Sequence, residues 1–214
     1  MQLSQFVGMY LAESWATLYM VLISSTISYA IGIPLGVILV ATEQGGIAPC
    51  RVVHGILGFI TNIFRTIPFL ILLVMVLPLT KLLVGTTLGP RAIIPPLIIA
   101  SAPYIARMVE SSLKEVDAGV IEAAKSMGAS NWQIIRMVLL PEARPSLYVG
   151  AAICITTILS YSAMAGFVGG GGLGAIALWI LPLSDGCYAD CGGSAHPHRA
   201  AHPGILDAAR EGDR

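Results

Sequence analysis

Charge is scarce in this sequence. Asp, Glu, Lys and Arg make up 11% of the 214 residues and apolar side chains 56%, whereas an ordinary soluble domain carries about 25% charged residues. A water-soluble globule is excluded as the starting expectation. Basic and acidic residues balance at twelve each, which leaves no surplus of cations for phosphates and excludes nucleic acid as a partner. No Lys or Arg precedes Arg51. The basic opening of a secretory signal peptide is therefore missing, and the first apolar run is expected to stay in the membrane. The four cysteines, Cys50, Cys154, Cys187 and Cys191, are too few and too scattered for a disulfide framework. The apolar stretches hold no cluster of His, Asp or Glu that would serve as a metal site or general base, so no catalytic residue, metal or bound cofactor is expected.

What remains reads as an all-α polytopic membrane protein. Up to Leu181 there are 16 charged side chains, ten of them between Arg107 and Arg144. One polar segment thus separates apolar runs, each near the ~20 residues that cross a hydrocarbon core. Spans are expected at about 15–41, 67–84, 92–108 and 146–167, within a transmembrane domain over residues 1–181. Gly32, Pro34 and Gly36 predict a bend near the end of the first span. The apolar stretch from Val52 to Val84 would be about 50 Å long as a helix, too long for one crossing. Arg65 is costly at the bilayer centre, so it is placed at the membrane face: Val52 to Phe64 is then an interfacial helix, and Ile67-Pro68 marks a change of direction. The lone interfacial His54 is read as structural. Five basic residues after the third span, against none before Arg51, orient the amino terminus outside; Lys81 and Arg91 argue mildly the other way.

The polar segment, residues 112–141, carries local signals for two short helices. Asp117 is a cap for a helix through Val120, Ile121, Ala123, Ala124 and Met127, with Gly128 as a left-handed stop. Ser130-Asn131-Trp132-Gln133 fits a capping box that opens a second helix, and Pro141 is expected to end it. By periodicity alone this is equally a solvated hairpin joining two spans.

Glu122-Ala123-Ala124, three residues, Gly128, nine residues and then Val138-Leu139-Leu140-Pro141 resembles the EAA signature of permease subunits of ATP-binding-cassette importers. Phe64-Arg65-Thr66-Ile67-Pro68-Phe69, Val84 to Gly89, Ala102 to Glu110 and Tyr161-Ser162-Ala163-Met164 look, in order, like the methionine-importer permeases in particular. The resemblance covers roughly residues 10 to 175. It implies a type I importer permease (MetI-like) helix bundle in a bacterial cytoplasmic (inner) membrane. It also implies a second permease copy, two ATPase subunits that bind ATP and Mg, a substrate-binding protein, and methionine as the solute. The ATPase-coupling residues it implies are Glu122, Ala123, Ala124, Gly128, Ala129, Leu140 and Pro141. Met164 is expected as a gate with Tyr161 and Ser162 beside the path, against the plainer role of helix packing, and Arg65 and Pro68 are expected at an interface. A permease for another amino acid, or a defective permease that transports nothing, are the alternatives.

Two features stand apart. Gly169-Gly170-Gly171-Gly172-Leu173-Gly174 lacks the Lys-Ser/Thr of a phosphate-binding loop and no strand precedes it, so it reads as a tight turn next to the pore. The resemblance also calls for a fifth span from about Gly174. Here the apolar run stops at Ala175 to Leu183, and residues 182–214, rich in Gly, Ala, His, Pro and charge, cannot span a bilayer. The abrupt change of composition points to translation in a wrong frame, with the last span missing or replaced and a disordered tail. Cys187, Cys191, His196, His198 and His202 match no trusted metal-binding spacing.

Overall fold

The first helix, α1 (Leu3–Thr42), runs for 40 residues, about 60 Å, and carries no charge between Glu13 and Glu43. The computed structural model describes residues 3–180. Helix α1 begins well before Trp15 and is not interrupted at Pro34. Gly32 and Gly36 form a packing seam. A Cβ at Gly32 would stand 2.6 Å from Ile105 Cγ2, and one at Gly36 would stand 2.6 Å from the Ala106 carbonyl oxygen. Small residues let two backbones approach where lipid provides no hydrophobic drive between helices.

The helix they meet is α4 (Pro90–Lys114), which packs on α1, α2 (Arg51–Thr66), α3 (Phe69–Val84) and α8 (Arg144–Met164) and is the centre of the bundle. Pro90 sits at the helix start, where a missing N–H costs nothing. Inside the bundle, Ser28 and Ser101 share a buried hydrogen bond of 2.6 Å, and Ser101 also bonds the Leu97 carbonyl. Tyr29 donates to the Ala151 carbonyl at 3.1 Å and ties α1 to α8. Leu73, Ile93, Leu97, Ile105 and Ile158 are fully buried between these helices.

Between α2 and α3 the chain turns by 108°. Ile67 is extended with ψ 125, as the residue before a proline prefers, and Pro68 then opens α3. Helix α2 exposes Val52, Ile56, Phe59, Ile60 and Ile63 and buries Gly58 and Thr61. His54 is satisfied locally, its Nδ1 lying 3.0 Å from the Leu39 carbonyl oxygen. Three stretches, Val7–Thr42, Pro90–Lys114 and Arg144–Val168, are long and apolar enough to cross a membrane, and the bent α2–α3 pair adds a fourth if it is one span. Every regular element among the described residues is helical.

After α8 come a 3-10 turn (Ala165–Val168), the glycine turn and α9 (Leu173–Ile180). The tail expected from residue 182, with Cys187, Cys191, His196, His198 and His202, lies outside the described residues.

Candidate functional site

Helix α5 (Ala118–Ser126) opens where Asp117 Oδ1 accepts the Gly119 amide at 2.6 Å. It closes at Gly128, which has φ +80, with the Gly128 amide on the Lys125 carbonyl and the Ala129 amide on the Ala124 carbonyl. That paired pattern is a helix stop which a left-handed glycine makes possible. Ser130 and Gln133 then form a reciprocal capping box, the Ser130 amide donating to Gln133 Oε1 at 2.8 Å, and α6 (Asn131–Gln133) begins.

The second helix runs one residue past Pro141. It widens into a π-helical run, Ile134–Leu139, in which the Leu140 amide reaches back five residues to the Ile135 carbonyl, and continues as α7 (Leu140–Glu142). Proline has no amide to donate and crowds the carbonyl four residues back. The wider turn immediately ahead of it relieves that conflict, and the helix ends at Glu142, one residue past Pro141, after about three turns.

Within this hairpin Ala124 is buried, Ala129, Leu140 and Pro141 are half-buried, and Glu122, Ala123 and Gly128 are exposed. Val120, Met127, Trp132 and Met137 add exposed apolar surface. The hairpin is seated on the bundle by Ile134 and Leu139, both fully buried, and a cavity of about 210 Å³ lies at its root, lined by Val40, Ile47, Leu113, Val116, Ile121 and Leu139.

An ion network beneath the hairpin is missed by the sequence reading. Glu110, only 4% exposed, accepts from Arg107 at 2.7 Å and pairs with Lys114 at 3.0 Å, while Lys114 also reaches Glu43 at 2.9 Å. Arg107 donates further to the Gly58 carbonyl at 2.8 Å, so the network joins the ends of α1 and α4 to the middle of α2. The spacing of Arg107, Glu110 and Lys114 along one helix was the available signal; Glu43 and Gly58 carried none.

The expected gate residues lie about 30 Å along α8 from Arg144. Tyr161 stacks on Phe69 with ring centroids 4.6 Å apart and planes 7° from parallel. Ser162 is buried and donates to the Leu159 carbonyl at 2.7 Å, and Met164, the last residue of α8, is 40% exposed. Phe69 follows Pro68, so the stack brings the α2–α3 break to the end of α8. Arg65 and Pro68 are exposed at that break. The residues expected to couple and those expected to gate therefore form two separate sets joined by α8.

Residues 32–187 match the family described as binding-protein-dependent transport system inner membrane component. The chain belongs to that family. As such a transport component it is a multi-pass membrane protein. It is 51% identical over 168 residues, 78% of this chain and 75% of the relative, to the probable D-methionine transport system permease protein MetI of Vibrio cholerae. It is 49% identical over 152 residues, 71% of this chain and 70% of the relative, to the D-methionine transport system permease protein MetI of Escherichia coli K12. Among solved structures it resembles an inward-facing MetNI methionine ABC transporter, with 45% identity, TM-score 0.80, and coverage of 83% of this chain and 82% of the other.

Proposed function

We propose that this chain is the membrane-spanning subunit of an ATP-driven methionine importer in a bacterial cytoplasmic membrane. The observation that carries the reading is the near-half identity, over at least 70% of both chains, to permeases named for methionine transport. Two copies form the pathway, two ATPase subunits bind ATP and Mg and dock from below, and a binding protein delivers the solute from above. Neither ATP nor metal is bound by this chain.

The hairpin at 117–142 is the docking element. Its exposed Glu122 and Ala123, with the apolar Val120, Met127, Trp132 and Met137, offer one carboxylate and a close-approach surface to a groove on the ATPase. When ATP draws the ATPase pair together, the two hairpins follow and the permeases rock between inward-open and outward-open states. Met164, flexible and unbranched, closes the path at the far end of α8 without needing a fixed shape. Arg65 and Pro68 face the second copy at the α2–α3 break.

The reading is tested by uptake in proteoliposomes holding the copurified permease and ATPase. Labelled methionine is expected to enter only with ATP and binding protein, and excess unlabelled methionine to suppress it. Uptake of another amino acid that is indifferent to methionine would overturn the substrate; failure of the ATPase to copurify would overturn the assembly.

A further inference from the structure

The glycine turn at residues 169–172 faces a carboxylate of the chain's own. Gly169, Gly171 and Gly172 have φ of +77, +74 and +78, a region that residues with a Cβ enter at a cost. A Cβ at Gly172 would also stand 2.7 Å from Thr17 Oγ1. In this conformation the Gly172 amide donates to Glu13 Oε2 at 2.5 Å and the Leu173 amide donates to Thr17 Oγ1 at 2.8 Å. The Thr17 hydroxyl in turn donates to the Glu13 carbonyl at 3.0 Å. These amides open α9, where N–H groups have no partner within the helix and the helix dipole favours an anion. A carboxylate on an apolar helix is costly unless it finds donors, and Glu13 finds one in the turn.

The clamped turn abuts the end of α8. The Gly170 amide donates to the Ala165 carbonyl at 3.0 Å, and a Cβ on Gly174 would run into the backbone of Ala163. Those two alanines flank Met164. The Gly89 amide also donates to the Gly169 carbonyl at 3.0 Å and ties in the start of α4.

We infer that Glu13 is a positioning residue for the Met164 gate: with Thr17 it fixes the 169–172 turn against the end of α8 and so sets where Met164 sits. This rests on the reading of Met164 as the gate. The test uses the reconstituted transporter with Glu13→Ala, Glu13→Gln, Thr17→Val and, separately, Met164→Ala. One readout is amide hydrogen exchange of the peptide covering residues 165–176; the other is leak of labelled methionine down its gradient without ATP.

Glu13→Ala is expected to speed exchange at the start of α9 about tenfold, the effect of losing one capping bond, and to raise the leak. Glu13→Gln, whose side-chain oxygen can still accept the Gly172 amide, restores most of both, and Thr17→Val falls between. Met164→Ala leaks with exchange unchanged. Exchange equal to the parent's in Glu13→Ala means there is no clamp, and the inference falls. Faster exchange without leak, while Met164→Ala does leak, also overturns it and leaves the gate intact. If neither variant leaks, the gate reading itself fails and takes the positioning role with it.

Discussion

Removing the charge of Glu110 should cost this bundle several times more than removing that of Glu43, although both carboxylates bond the same Lys114. Glu110 has 6% of its side chain exposed and its partner Arg107 19%, whereas Lys114 and Glu43 are 41% and 37% exposed. A charge-assisted hydrogen bond out of water contributes about 1.5–3 kcal/mol. The Lys114 arm is open to solvent and adds at most about 0.5 kcal/mol. Glu110→Gln keeps the volume and one acceptor but leaves the Arg107 guanidinium, whose buried Nε already lacks a partner, without its countercharge. The expected loss is about 2–3 kcal/mol, or about 4–12 °C in Tm for a chain of this size. Glu43→Gln should cost less than about 1 kcal/mol, and added salt should erase that difference. The assay is thermal unfolding in detergent, followed by a thiol-reactive dye as the buried Cys154 becomes accessible and read against Cys154→Ala, which retains the other thiols. Equal shifts for the two variants would show that burial does not set the strength of this network.

Two further outcomes follow from local geometry. Gly36→Ala places a methyl 2.6 Å from the Ala106 carbonyl oxygen, so α1 and α4 must part; a loss of about 1–3 kcal/mol is expected in the same unfolding assay, while Gly8→Ala, with nothing within 4 Å, serves as the neutral control. A Cβ at Gly128 also meets no neighbour within 4 Å, so the cost of Gly128→Ala comes from φ +80 alone, about 1–2 kcal/mol; it should reduce ATP-driven uptake and ATPase stimulation with membrane insertion intact, and normal transport by both Gly128→Ala and Glu122→Lys would remove the docking assignment.

What is legible in the sequence is whatever acts within a few residues. Asp117, Gly128 and the Ser130–Gln133 box declare themselves because each cap is closed by bonds spanning two to five positions. Ile67-Pro68 declares the 108° turn because proline restricts its own neighbour. Pro141 also declares its stop, since the helix ends one residue past it, whereas the packing role of Gly32 and Gly36 does not show in their own stretch of sequence. A glycine pair that permits a bend also permits close packing, and the packing depends on α4 opposite. The π-helical run ahead of Pro141 is what the local pattern does not report. Least legible are the polar bonds across the fold. Glu13 meets Gly172 across 159 positions and Glu43 meets Lys114 across 71, and neither acid carries a neighbouring signal for its partner. The scarcity of charge is itself the usable clue: an acid alone in an apolar helix must have found a donor somewhere.

Both of those acids belong to the first helix and its immediate end, and this suggests how the two ends of the molecule communicate. From Glu13 to Glu43 is about 45 Å along a helix that is not interrupted. At one end α1 clamps the turn beside Met164, and at the other it joins the ion network beneath the 117–142 hairpin. The two sites share no partner and lie far beyond the distance at which stability effects couple, so Glu13→Ala and Glu43→Gln should add in thermal stability within about 0.5 kcal/mol. Transport should behave differently if α1 carries motion as a rod. Freeing either end already uncouples hairpin from turn, so the double variant is expected to transport little less than the worse single one, measured as methionine taken up per ATP hydrolysed. Losses that multiply in transport while adding in stability would mean that the two ends act independently, and that coupling runs through α8 alone.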